Sequence, residues 1–197
     1  MTDVIGRVLR ASTMGFDCGA HSAEIERQTF GAFVKSDIAS NGSVYAIGLI
    51  YAVRIDDDPL VRQLVMSNNV SNSTLMDQRM NRMVPVEACV VNIGYCHMGE
   101  MIHALPPRPP LTLSLVELCT ADEIYAFTQK CDFFRLVLNA AEVPSDDLLA
   151  AALRYASWSY PDNERYDYLV KCGRQIARLL THDLRRLSHV LALIKPA

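Results

Sequence analysis

Leu105-Pro106-Pro107-Arg108-Pro109-Pro110 divides the sequence into two unlike parts. Proline fixes φ and restricts the residue before it, so this run must be extended, with a reach of roughly 3 Å per residue. Before the run, β-rich segments alternate with turn signals. After it, one last extended segment, Leu111–Val116, gives way to helical patterning. The pattern predicts an α+β chain: a small antiparallel β-barrel over residues 1–116, then an all-helical domain over residues 117–197.

Upstream of the proline run, Val86–Tyr95 reads as a central strand. Val86, Ala88, Val90 and Asn92 alternate with Glu87, Cys89, Val91 and Ile93, so apolar side chains occupy both faces and both should be covered. Phe30–Lys35 and Val44–Val53 flank Ser40-Asn41-Gly42-Ser43, and an Asn-Gly pair between β-rich runs predicts a hairpin with a type I′ turn. Val4–Leu9 is a further strand, in which Gly6 marks a bulge or a close backbone approach; Phe16–Cys18 and Glu24–Glu26 are weaker strands. Asp56-Asp57-Asp58-Pro59 reads as a solvated turn, because a cation site would space its carboxylates at alternate positions, and Leu60–Val65 as a helical turn or two. Met66–Val84 reads as a long loop in which Met76, Met80 and Met83, with Met66, offer adaptable apolar contacts to a partner.

Downstream, Thr120 with Glu123 makes a capping box that opens a helix over Ala121–Lys130. Phe133–Asn139 fits either helix or strand. A second helix opens at Ser145 and runs to about Ser159, and Pro161-Asp162 stops it and starts the longest one. In that final helix Leu169, Gly173, Ile176, Leu180, Leu184, Leu187, Leu191 and Ile194 form an apolar seam. Lys171, Arg174, Arg178, His182, Arg185 and His189 repeat at the same spacing about 200° away, on the opposite face. From Lys171 to Lys195 the net charge is +5, whereas residues 117–167 are net acidic by a similar amount. Lys171, Arg174, Arg178, Arg185 and Arg186 are therefore the candidate contacts to DNA or to an acidic partner.

Half the 197 residues are hydrophobic and a fifth are charged, which excludes a disordered chain, and the net charge of −3 gives no global attraction to nucleic acid or anionic lipid. Met1-Thr2-Asp3 lacks a basic region, no apolar run approaches the ~20 residues of a membrane span, and the six cysteines show no regular pairing. These features predict a cytoplasmic protein with reduced thiols.

Chemical motifs are sparse. Cys89, Cys96, His97 and His103 cluster in sequence but lack the tight knuckle spacing of a structural zinc site, so no metal ligand is assigned. Gly94–Met101 keeps the glycine spacing of a phosphate loop but places Glu100 and Met101 where lysine and Ser/Thr are required. No nucleophile elbow, H-E-x-x-H helix or dinucleotide fingerprint occurs. The residues predict neither an enzyme nor a cofactor.

Ile5-Gly6-Arg7-Val8, a polar stretch to Phe16, Phe33-Val34-Lys35, Val44-Tyr45-Ala46-Ile47-Gly48 and the proline-rich exit together resemble a HAS-barrel domain. This is the N-terminal barrel shared by HerA-type DNA translocases and rotary ATP synthases. The resemblance spans roughly residues 4–116; the helical part resembles no family. It implies a barrel that packs in ring assemblies beside an ATPase, here without the motor and its phosphate loop. The expectation is a non-catalytic assembly or adaptor protein, self-associating as a homo-oligomer or docking on a HerA-like ATPase and its nuclease in DNA processing. Two alternatives stand beside it: a nucleic-acid-binding module that uses the basic helix face, and a ligand-binding protein with a pocket between barrel and helices.

Overall fold

A computed structural model of the chain describes residues 3–21, 27–40, 42–55, 66, 71, 85–141 and 143–195. Among the described residues, seven strands come first: β1 (Val4–Ala11), β2 (Gly15–His21), β3 (Phe33–Asp37), β4 (Val44–Ile55), β5 (Pro85–His97), β6 (Glu100–Ile102) and β7 (Leu115–Leu118). Five helices follow: α1 (Ala121–Thr128), α2 (Phe134–Leu138), α3 (Ser145–Ser157), α4 (Asp162–Leu179) and α5 (Leu184–Ile194). The expected strand at Glu24–Glu26, the turn and helix start over 56–65, and the methionine-bearing loop with Met76, Met80 and Met83 lie outside the described residues.

Six strands close on themselves in the order β1–β7–β3–β4–β5–β2, every neighbour antiparallel, and β2–β5 pairing completes the ring. β6 extends β5 as a short hairpin. Closure of so few strands demands strong coiling, and the bulges in β4 and β5 between Ile47 and Gly48 and between Ile50 and Ala52 supply it. Two glycines permit the necessary close approaches. A Cβ on Gly6 would fall 2.3 Å from the Gly19 carbonyl oxygen, and one on Gly48 would fall 2.3 Å from Val90 Cγ1. Gly6 also sits at a β1–β7 register shift, so both readings of that residue hold.

The period-two pattern of β5 sorts its side chains as expected. Ala88 and Val90 point inside the barrel with Ile5, Val8, Phe16, Cys18, Val34, Ile50 and Val116, leaving its interior filled by side chains. Val91 and Ile93 point outward and join Phe33, Ile47 and Leu49 beneath the helices. There Phe127 and Phe133 meet Phe33, and Phe134 meets Phe133, in an edge-to-face and tilted aromatic cluster with centroids 4.9–6.4 Å apart. Gly94 leaves room for that cluster: a Cβ there would lie 2.7 Å from Phe127 Cε2.

Three local expectations are corrected. Leu111–Val116 is not one extended run: residues 111–114 form a turn in which Leu113 takes φ +65°, and β7 begins at Leu115. The β3–β4 hairpin exists, but Ile38 N–H bonds to Val44 O and Gly42 N–H to Ala39 O, so its connection is not a two-residue turn; Asn41 of the expected turn lies outside the described residues. The two-residue loop with both φ values positive is Met98-Gly99, at +50° and +85°, between the paired His97 and Glu100. The Gly94–Met101 spacing, read from the sequence as lacking the residues of a phosphate loop, runs through this β-hairpin.

The long C-terminal helix is likewise two helices. α4 ends at Leu179, Leu180–Asp183 turns, and Asp183 caps α5 by accepting from Arg186 N–H. Gly173 lies against Leu191 and Ile194, so this part of the apolar seam is a contact between two arms of a helical hairpin, packed also on α3, whereas Leu184 is 69% exposed. The capping box at Thr120 and Glu123 is present as expected. No described helix is long and apolar enough to cross a membrane.

Candidate functional site

Lys171, Arg174 and Arg178 recur at three- and four-residue spacing, which places them on one face of α4. The buried face of the same helix carries Tyr168, Leu169, Cys172 and Ile176. Opposite the basic face runs the connection from α1 to α2, residues 129–132. Lys171 Nζ donates to the Gln129 carbonyl at 2.7 Å and ties the two segments together. Behind them Gln129 Nε2 donates to Tyr160 Oη, which shares a 3.0 Å hydrogen bond with Thr128 Oγ1, and the Tyr160 ring stacks on Tyr168 at 4.1 Å. The outcome is an open cleft of about 390 Å³, walled by Lys130, Lys171, Arg174 and Arg178 against the single carboxylate of Asp132. Among the described residues, neither Arg174 nor Arg178 is engaged in an ion pair.

The other two predicted basic contacts lie elsewhere. Arg185 is exposed on α5, on the second arm of the hairpin. Arg186 is taken up internally: its guanidinium holds Asp146 at 2.7 Å, donates to Ser145 Oγ at 2.9 Å and reaches the Leu138 carbonyl at 3.4 Å. It clamps α5 to the start of α3. The structure therefore brings Lys171, Arg174 and Arg178 together and separates Arg185 and Arg186 from them. Lys130, which the sequence reading did not select, completes the cleft; only the fold carries it beside α4.

The cysteine–histidine set does not converge. His97 is exposed at the β5–β6 hairpin, and Cys96 is buried beneath the helices. His103 is tied to the Phe127 carbonyl at 2.9 Å, and burial holds its pKa below the ordinary value. Cys89 meets different neighbours, Asp17 and Glu87, in an arrangement with metal-ligand spacing. Arg10 already pairs with both carboxylates, and burial with the Asp17 hydrogen bond pushes the Cys89 thiol up to about 11. A protonated thiol beside an occupied carboxylate pair is a poor cation site.

A groove of about 380 Å³ lies between barrel and helices, bounded by the β1–β2 turn, Tyr51, Val91 and, from the α2–α3 connection, Ala140, Ala141 and Val143. It is lined chiefly by apolar groups. β1 and β7 are neighbours in the ring, β1 standing opposite β4. Arg7 pairs with Leu115 and donates to the Leu113 carbonyl at 2.9 Å, Leu113 N–H bonds to Val8 O, and the Leu9 side chain lies over Gly19 of β2. Leu9 is 52% exposed, Leu113 64% and Leu115 40%, with the Arg7 side chain among them. No family profile matches the chain, and no curated protein is similar to it.

Proposed function

We propose that the chain is a non-catalytic assembly protein built on a HAS-like barrel, which self-associates through the outer face of β1 and β7. The observation that carries this reading is the exposure of three leucines, Leu9, Leu113 and Leu115, on and beside β1 and β7. The filled barrel interior supports it, since the barrel offers partners its surface. The resemblance of residues 4–116 to HAS barrels supports ring-type packing and a role beside a HerA-like translocase and nuclease in DNA processing. The test is sedimentation of the wild-type chain against Leu9→Lys and Leu113→Lys. Both exposed substitutions leave the fold intact and reduce the assembly to single chains. Sedimentation unchanged by both removes this interface.

A second reading rests on the basic cleft, whose four cations face one carboxylate. It makes the helical hairpin a contact for nucleic-acid phosphates. Binding of a labelled duplex that weakens with salt and is lost in Arg174→Glu/Arg178→Glu supports it. Binding that persists in that variant excludes it.

A further inference from the structure

The basic cleft continues into an aromatic surface. Gln129, which lines the cleft, donates from Nε2 to the Tyr125 carbonyl at 3.2 Å and to Tyr160 Oη at 3.3 Å, so Tyr125 of α1 stands one helical turn from it. The Tyr125 ring leans on Tyr160 with centroids 4.7 Å apart and planes 51° from parallel, and Tyr160 in turn stacks on Tyr168 at 4.1 Å. Tyr160 and Tyr168 are buried, whereas Tyr125 remains 38% exposed. A ring held from behind is thereby presented to solvent beside the cations.

The cations form a line. Lys171, Arg174 and Arg178 span about 10 Å along α4, longer than one phosphate group, and Lys130 faces them from the other wall. Asp132 sits beside Lys130 on that wall, which weights the positive charge towards α4. Asp167 and Glu164, one and two turns before Lys171 on the same helix face, are exposed and carry the opposite charge. A track for phosphates therefore ends at Lys171 and runs towards Arg178.

We propose that this cleft holds a single, unpaired nucleic-acid strand, with its phosphates on Lys130, Lys171, Arg174 and Arg178 and one base stacked on Tyr125. The proposal rests on the reading of the cleft as a phosphate contact and narrows it. In a duplex the bases stack on one another and keep their faces to themselves, so only an unpaired strand can use the Tyr125 ring. Neutralised phosphates supply affinity without regard to sequence, and stacking adds to it because every base has a π-face. DNA and RNA strands share this chemistry.

The test measures binding of labelled oligo-dT, oligo-U and a duplex of the same length, about 12 nucleotides, to the full chain by fluorescence anisotropy over a salt series. The wild-type chain binds a strand at least about fivefold more tightly than the duplex, and the tighter of the two strands identifies DNA or RNA as the source. Tyr125→Ala loses about fivefold or more for the strand and nothing for the duplex, and Tyr125→Phe keeps the strand affinity. Arg174→Gln/Arg178→Gln lowers the slope of log affinity against log salt by about 1.4. The wild-type comparison of strand with duplex needs no variant, so a misfolded Tyr125→Ala does not decide the matter. Duplex binding as tight as strand binding, or strand binding unaffected by Tyr125→Ala, overturns this inference and leaves the phosphate contact standing. No binding to any of the three probes, or a salt slope unchanged by the arginine substitutions, overturns both.

Discussion

Lys35 on β3 and Glu123 in the first turn of α1 form the ion pair that fastens the helices to the barrel, Nζ standing 2.6 Å from Oε1. Tyr45 Oη donates to the same carboxylate oxygen, and Glu117 of β7 lies 3.9 Å from the ammonium. Glu123 has a second duty, since its Oε2 accepts from Thr120 N–H and closes the capping box. One side chain therefore starts the helical part and docks it.

Separating the two duties gives a first prediction. Glu123→Gln keeps an N3 acceptor for the cap but removes the charge, and should destabilise the chain by about 1–2 kcal/mol. Glu123→Ala removes both and should lose about 1 kcal/mol more. Urea unfolding of the two variants checks the order. Equal midpoints for wild type and both variants would show that the pair does not fasten the helices.

Acid sensitivity should arrive in two stages. Burial holds His103 below its ordinary 6.5, so the unfolded chain takes up that proton first and stability falls as pH drops through about that value. For Glu123, burial acts to raise the pKa, but the bonds from Lys35 and Thr120 outweigh it and the net shift is downward. Its contribution is present above the ordinary carboxylate range and is lost as pH falls through its lower folded pKa. Urea midpoints between pH 8 and pH 3, compared with His103→Gln, measure this. The variant should lack the upper stage, and a wild-type midpoint that does not move between about pH 7 and about pH 5 would contradict the assignment.

Met98 offers a gain instead of a loss. It holds φ +50° at the first position of a two-residue turn, a conformation that a side chain with a full Cβ substituent adopts at a cost. Its thioether is exposed, so nothing is lost on replacement. Met98→Asn should stabilise the chain by about 0.5–1 kcal/mol, read from thermal or urea unfolding. An unchanged or lower midpoint would mean that the turn is under no backbone strain.

Much of the barrel was legible because β-structure writes itself in local alternation. The two faces of β5 could be assigned from Val86 to Ile93, since each residue's direction follows from its neighbour's. The capping box was equally local, requiring only Thr120 and Glu123. What failed was the choice among local signals of similar strength. Asn41-Gly42 and Met98-Gly99 both punctuate hairpins, and only the strand register determines which loop has two residues.

The C-terminal arithmetic failed for a related reason. The seam from Leu169 to Ile194 keeps helical spacing across Thr181-His182-Asp183, because the two arms of the hairpin present matching apolar faces to each other. Continuity of spacing therefore did not reveal the turn. The same turn divides the basic residues: Arg174 and Arg178 remain in the cleft, while Arg186 closes on Asp146. Lys130 and Cys131 come to the cleft only through the path of the chain between α1 and α2, which no spacing encodes.

Native mass by light scattering, at low and high salt, tests the assembly reading most directly. Apolar contacts through Leu9, Leu113 and Leu115 do not weaken with screening, so the account predicts a multiple of the 22.0 kDa chain that persists in high salt. A 22.0 kDa particle at every salt and protein concentration would contradict it.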